Sequence, residues 1–379
     1  MTPGRKHICF VTASPLTVKA FLTDQISALA REHDVAVITN LSRGEQLDAL
    51  KGTARILSAP IDRDIAPLAD LRCLARLLGI FRRERFDIVH TVTPKAGLLA
   101  QLAAFMQRIP VRIHVFTGQA WVTRRGPWRR ILKAIDHLIA RLATHVIVDS
   151  PSQRDFLIEH GVVRHGKARV LLHGSICGVD IDRFRPNREA RARIRNEFRI
   201  GGNSVVFLYL GRLNADKGLL DLARAFADPG LGDTVLLMVG PDEEDIRPRM
   251  RELCKNGSAR LVFVDYTAAP QDYMAAADVF CLPSYREGFG TAIIEAAAAG
   301  VPAIASDIYG VRDAVVDGET GLLHPARDVA AIRDRMLRLA RDETLRVNLG
   351  TAARKRAMDD FATQAITGAL VEYYQQLPI

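Results

Sequence analysis

The chain has 379 residues, 48% of them hydrophobic and 25% charged, with a formal net charge of +9. That length can bury two cores, and that balance belongs to globular proteins, which excludes a disordered or fibrous chain. No apolar run reaches the roughly 18 residues of a spanning helix, Met1–Lys6 carries no secretion signal, and five scattered cysteines (Cys9, Cys73, Cys177, Cys254, Cys281) without a Cys-x-x-Cys pair argue against a disulfide frame or zinc site and for a reducing compartment.

In chain order, apolar runs predict strands at 7–13, 35–40, 55–59, 87–92, 113–117, 145–150 and 170–173, with helical patterns at 21–30, 71–81, 97–106 and 128–142 between them. The second half continues the plan, with strands at 205–210, 235–239, 261–264, 279–282 and 303–305. Such alternation predicts an α/β chain of doubly wound parallel sheets, with helices on both faces. Polar and basic residues replace the apolar pattern over 179–199, so a first domain is expected over 1–185 and a second over 186–360. Residues 361–379 read as a helix that crosses back to the first domain.

The charge is uneven. Residues 1–185 hold 28 Lys and Arg against 16 Asp and Glu, a net of +12, and the remainder nets −3. A basic half suggests an anionic partner. Aromatic content is 6% and no recognition motif appears, so nucleic acid is not expected. An anionic membrane surface fits better. The tip formed by Trp121, Arg124, Arg125, Trp128, Arg129 and Arg130 suits a lipid headgroup region, and it precedes a helix with apolar residues at helical spacing. The plain alternative for Ile131–Leu142 is a helix packed on the first sheet.

Two segments carry the chemistry. Gly211-Arg212-Leu213-Asn214-Ala215-Asp216-Lys217-Gly218 follows a strand, with a glycine at each end and Arg212 and Lys217 placed for phosphate oxygens. Pro283–Leu322 opens with a strand end, then Glu287, the turn Gly288-Phe289-Gly290 and an alanine-rich helix containing Glu295. Strand, glycine turn and helix put backbone N–H groups and a positive dipole end at a sheet edge, which favours phosphate. Glu287 is expected just before the helix and Glu295 about two turns into it, so the two can grip different hydroxyls of one extended ligand. The plain alternatives are a turn carboxylate that stabilises the helix start for Glu287 and an exposed helix face for Glu295.

GRLNADKG, PSYREGFGTAIIEAAAAGVPAIASD, DGETGLL and the middle segment HGSICGVDIDRFRP resemble the retaining glycosyltransferases of family 4 over nearly the whole chain. HTVTPKAG and FTGQAWVTRRG most resemble bacterial members that build capsule, O-antigen or lipid-linked oligosaccharides. The resemblance implies the GT-B fold, two facing Rossmann-like domains with an interdomain cleft, and transfer of a hexose or N-acetylhexosamine from a nucleotide donor, UDP-linked, to a polyprenyl-diphosphate-linked saccharide. It assigns Arg212 and Lys217 to the donor diphosphate, Glu295 to ribose hydroxyls and Glu287 to hydroxyls of the donor sugar. The backbone of Gly211, Gly288, Phe289, Gly290 and Thr291 belongs to the same donor site, with Val264 near the base. Arg212, Lys217 and Glu287 are the catalytic candidates. It implies no metal and no cofactor besides the donor, and a cytoplasmic enzyme peripheral to the inner face of the cell membrane.

One departure is informative. Where many members place a His-Gly pair after a first-domain strand, this chain has Thr117-Gly118, so Thr117, Gly118 and Gln119 become the acceptor-side candidates. His114 is expected to be buried. His90 ends a strand, either facing the cleft or satisfied within the domain. A sugar-nucleotide epimerase or glycan phosphorylase on the same plan, and a nucleic-acid-binding module, are the alternative functions. Asp180-Ile181-Asp182 has metal-motif spacing but sits in the linker element, where Asp180 is expected to fix the loop.

Overall fold

The structure, a computed structural model, describes residues 4–378 apart from 43, 45, 63–65, 256 and 258. The reading of Met1–Lys6 therefore falls partly on residues outside the described ones. The chain forms two compact units: Met1–Cys177 together with Gln364–Ile379, and Gly178–Thr363.

Each unit holds one all-parallel sheet. The first contains β1 (His7–Val11), β2 (Asp34–Thr39), β3 (Arg55–Ser58), β4 (Ile88–Val92), β5 (Val111–Phe116), β6 (His145–Val148) and β7 (Ala168–Val170), in the order β3-β2-β1-β4-β5-β6-β7. The second contains β8 (Val205–Leu210), β9 (Thr234–Val239), β10 (Arg260–Val264), β11 (Val279–Leu282), β12 (Ala303–Ser306) and β13 (Gly321–His324), in the order β10-β9-β8-β11-β12-β13. Central strands such as Val-Phe-Cys-Leu of β11 and Ala-Ile-Ala-Ser of β12 are buried at every residue. Helices cover both of their faces, so they carry no polar alternation. In both sheets the strand order reverses beside the first strand, at β1/β4 and at β8/β11, and ligands of such sheets bind outside the carboxyl ends at that reversal.

Four segments differ from expectation. β13 was not predicted; it pairs with β12, and Gly321 lies so close to it that a Cβ would stand 2.5 Å from the Ala303 carbonyl oxygen. Residues 188–197, read as linker, form a helix capped by Asn187, with Ala190, Ile194 and Arg195 buried. Arg195 is tolerated there because its guanidinium donates to the carbonyls of Gly201 and Ser204 and pairs with Asp278. The helix expected over 21–30 is two short helices, Pro15–Phe21 and Thr23–Leu29, broken at Leu22. The strand expected at 170–173 ends at Val170, because Leu172 and Gly174 turn the chain with φ of 48° and 112°.

The last helix, Thr363–Gln375, packs Leu370, Tyr373 and Tyr374 into the first unit's core beside Ile8 and Phe10. The Tyr374 hydroxyl lies 2.7 Å from His90 Nδ1, and the His90 ring stacks on Phe10. His90 is therefore engaged inside the unit, and burial pushes its pKa down to about 3. His114 is buried too, with Nδ1 2.8 Å from the Thr91 hydroxyl. No helix among the described residues is long and apolar enough to cross a membrane.

At the carboxyl edge of the second sheet, loops meet through backbone at glycines. A Cβ on Gly218 would lie 2.1 Å from the Pro283 carbonyl oxygen, one on Gly240 2.0 Å from that of Gly211, and one on Gly310 2.2 Å from that of Gly288. Gly218 also has φ of 65°. Gly218→Ala should therefore lose more stability than the ~1–2 kcal/mol of a left-handed residue alone. Gly52→Ala, with φ of 78° and open space around it, should lose only that amount. Equal losses of the two variants in urea melts would mean that the Gly218–Pro283 contact yields freely.

Candidate functional site

The reversal at β8/β11 brings together the two segments singled out in the sequence. After β8 the chain passes through Gly211–Gly218, and after β11 through Pro283–Gly290. The Tyr285 N–H donates to the Asp216 carbonyl (2.8 Å), and the Arg286 guanidinium donates to the Asp216 carboxylate (2.8 and 3.2 Å). Across this junction Lys217 Nζ donates to Glu287 Oε1 at 2.5 Å, and the Ser284 hydroxyl donates to the same oxygen at 2.7 Å. Lys217 and Glu287 are both largely sheltered, with side-chain exposures of 18% and 15%. Glu287 is thus held from two sides.

Arg212 is oriented by another carboxylate. Its Nη1 donates to both oxygens of Glu243 at 3.1 Å, and Asn214 Nδ2 donates to Glu243 as well (3.0 Å). Glu244 accepts the N–H of Ala215. Both glutamates lie in Pro241-Asp242-Glu243-Glu244-Asp245, directly after β9, and β9 neighbours β8. The sequence reading missed them. An acidic run at a strand end was the available signal, but only the strand order shows that it faces Arg212.

Glu295 is the fifth residue of the helix Thr291–Ala298, so it stands one turn in, not two. Its carboxylate makes no hydrogen bond or ion pair among the described residues. The residue is half-buried, and burial pushes its pKa up to about 7, with Arg183 pulling the other way. Glu287 and Glu295 do not touch. The helix starts after Gly290, which has φ of 85°, and no side chain caps it. Phe289 is buried against Phe361. Gly288 is buried and contributes backbone only, meeting Gly310 as described above. Val264 ends β10, and its carbonyl accepts from the Gly240 N–H and from Arg247. Tyr266 beyond it is exposed.

In the first unit Thr117, Gly118 and Gln119 follow β5. The Thr117 carbonyl accepts from the Gln119 amide and from Gln153 Nε2 (2.7 Å), and Gln119 is buried. The expected lining amide of Gln119 is therefore turned into its own loop, a correction to the acceptor-side reading of that side chain.

The basic tip also needs a correction. Trp121 is buried; its indole N–H donates to Asp136 at 2.9 Å and its ring stacks on Phe156. It is core and presents nothing to a headgroup. Trp128, by contrast, is 57% exposed, as are Ile131 (46%) and Leu138 (41%), on the helix Gly126–Leu142. Arg124, Arg125, Arg129 and Arg130 are all exposed around them. The packed face of the helix is Asp136, Ile139, Ala140 and Leu142. Asp180 Oδ1 accepts the N–H groups of Asp182 and Arg183 and so caps its own loop.

Comparison with known proteins decides the family. Residues 18–174 match the glycosyl transferase 4-like domain, and residues 190–356 match the glycosyl transferases group 1. The chain is 30% identical over 319 residues to the capsular polysaccharide biosynthesis glycosyltransferase CapM of Staphylococcus aureus, covering 83% of each chain. The chain belongs to the glycosyltransferases. This glycosyltransferase is also 28% identical over 357 residues to the UDP-Gal:α-D-GlcNAc-diphosphoundecaprenol α-1,3-galactosyltransferase of Escherichia coli, covering 91% of each. Among solved structures it is similar to sucrose-phosphate synthase from Thermosynechococcus elongatus, with TM-score 0.81, 22% identity and coverage of 98% and 99%. It is similar as well to Anabaena HepE in complex with UDP and glucose, with TM-score 0.80, 19% identity and coverage of 98% and 100%. These likenesses carry the fold, GT-B, with its two Rossmann-like domains.

The raised pKa of Glu295 makes a stability prediction. A carboxyl whose pKa rises on folding holds its proton more tightly in the folded state, so it destabilises progressively as pH rises from the ordinary carboxylate range to about 7. Glu295→Gln should match the parent near pH 4 and exceed it at pH 8 by on the order of 2 kcal/mol. Denaturant melts at the two pH values check this; a variant no more stable at pH 8 would mean that the carboxyl is solvated.

Proposed function

We propose that this glycosyltransferase moves a hexose or N-acetylhexosamine, with retention of anomeric configuration, from a UDP-sugar to a polyprenyl-diphosphate-linked saccharide. It would work at the cytoplasmic face of the cell membrane. The observation that carries the donor half is Glu295: a half-buried carboxyl without a hydrogen-bond partner, one turn inside the helix whose uncapped start adjoins Glu287 and Lys217. An unpaired carboxyl in such a place is costly unless a ligand's hydroxyls complete it. Ribose hydroxyls fit Glu295, hydroxyls of the donor sugar fit Glu287, and the diphosphate fits Arg212, Lys217 and the helix start through Phe289, Gly290 and Thr291. The named substrates of the Escherichia coli relative, a UDP-sugar and a diphosphoundecaprenol-linked GlcNAc, support both halves.

No side chain has to act as nucleophile in this reading. The acceptor hydroxyl attacks the anomeric carbon on the face that the phosphate leaves, and the departing phosphate oxygen takes the hydroxyl's proton. Arg212 and Lys217 stabilise the negative charge that grows on that phosphate, which is electrostatic catalysis by groups already in place. They supply the positive charge that a metal would otherwise bring.

A thermal-shift panel of UDP, GDP, ADP and several UDP-sugars, with and without EDTA, tests the donor half. UDP and one UDP-sugar should raise the melting temperature in both conditions. Lys217→Ala and Glu295→Ala should each abolish most of that shift. No shift with any nucleotide, or full shifts in both variants, would sink the assignment.

The exposed stripe of Trp128, Ile131 and Leu138, flanked by four arginines, is the membrane half of the proposal. Replacing Arg124, Arg125, Arg129 and Arg130 with Ser should reduce sedimentation with phosphatidylglycerol vesicles by an order of magnitude or more, at about 1 kcal/mol per charge. Unchanged sedimentation would return the tip to a solvated face.

A further inference from the structure

Asp149 is the residue directly after β6, level with Thr117 at the end of β5, since Phe116 and Val148 are paired across the two strands. It is 4% exposed. Its backbone is fastened on both sides: its N–H donates to Gln153 Oε1 at 2.7 Å, and its carbonyl accepts the Ser175 N–H at 2.7 Å. Gln153 in turn reaches the Thr117 carbonyl, so the ends of β5 and β6 and the loop at Ser175 form one tied cluster. The carboxyl takes no part in it. It makes no hydrogen bond or ion pair among the described residues, and Oδ1 is buried without a partner.

That arrangement has no structural benefit. A buried carboxyl that is neither bonded nor paired lowers stability relative to an apolar side chain of similar volume. The adjoining loop is strained as well: Leu172 and Ser175, neither of them glycine, have φ of 48° and 73°. Strain and unsatisfied polar groups gather where a ligand completes the site.

We propose that Asp149 is an acceptor-binding residue whose carboxyl takes a hydroxyl of the acceptor saccharide beside the Thr117–Gln119 loop. A sugar hydroxyl fits better than the acceptor's diphosphate. Burial pushes the Asp149 pKa up to about 8, so the carboxyl both gives and accepts a hydrogen bond near neutral pH, as a hydroxyl requires, and once ionised it would repel a phosphate. The inference rests on the acceptor half of the function proposed above and is independent of the donor site.

The experiment compares Asp149→Leu and Asp149→Asn in the full chain. The readouts are melting temperature, the melting shift with UDP, and steady-state KM for donor and acceptor. The acceptors are water-soluble short-chain diphospholipids carrying GlcNAc, GalNAc or glucose. Asp149→Leu should melt no lower than the parent, keep the UDP shift and donor KM, and raise acceptor KM at least about tenfold, the loss of one buried hydrogen bond. Asp149→Asn, which keeps a donor and an acceptor, should recover most of that loss. A lower melting temperature in Asp149→Leu, or an unchanged acceptor KM, would overturn the proposal. If the parent shows no UDP shift, the donor reading has failed by itself. The saccharide-induced melting shift then decides for Asp149: present in the parent and lost in Asp149→Leu supports the role, equal in both overturns it.

Discussion

Four loops at the carboxyl edge of the second sheet touch one another through three backbone contacts, and each contact exists because one residue has no Cβ. Gly240 lies against Gly211, Gly218 against Pro283, and Gly310 against Gly288. The loops after β8, β9, β11 and β12 are thereby fixed to one another at main-chain distance, with no flexible side chains between them. The charged groups depend on this. Lys217 is one residue from Gly218, Arg212 one from Gly211, and Glu287 one from Gly288. A charge placed by a rigid loop does not have to be reorganised when a ligand's charge arrives, which is where electrostatic catalysis gains most.

The same edge is close to balanced in charge without a ligand. Arg212 rests on Glu243, Lys217 on Glu287, and Arg286 on Asp216. Sheltered cations without such partners would pay a large desolvation penalty. The carboxylates hold the cations in position, and under the donor reading proposed above they would set what a diphosphate must do: share Lys217 with Glu287 and Arg212 with Glu243, or displace them. Arg212 is half exposed, so exchange there is cheap; Lys217 is not, so its charge is the better directed one. Glu295 differs from all of these, because no cation pairs with it directly and burial outweighs the pull of Arg183 on its proton affinity.

Much of the fold was legible because parallel strands covered on both faces read as plain apolar runs. β13 was not, being four residues led by a glycine. The helix over 188–197 was not, because only Ala190 and Ile194 mark its inner face and the third buried residue is an arginine satisfied by carbonyls. The segments that hold Lys217, Glu287 and Glu295 were legible because each is a contiguous strand-turn-helix stretch, although Glu295 stands one turn into its helix and not the two expected. Glu243 is 31 residues from Arg212 and comes to it only through the β8–β9 pairing. Asp149 carries no sequence signal at all: an aspartate before a Ser-Pro helix start reads as surface, and only its burial without a partner sets it apart.

Trp121 and Trp128 show how sequence proximity misleads at the basic tip. Seven residues apart in a helix, they would share a face. The helix begins at Gly126, however, and the turn before it sends Trp121 inward to Asp136 while Trp128 stays outside. Arg129 and Lys133 then lie over the Trp121 ring at 5.9 and 5.7 Å, so one end of the cationic tip is anchored to the core through that aromatic face. An exposed apolar stripe held on so firm a base is costly in water alone and well suited to an interface, where Trp128 and Ile131 leave water and the arginines keep their hydration. The helix therefore presents two surfaces: Ile139 and Ala140 pack into the first unit's core, while Trp128, Ile131 and Leu138 stay exposed, which is the surface the membrane half of the proposal uses.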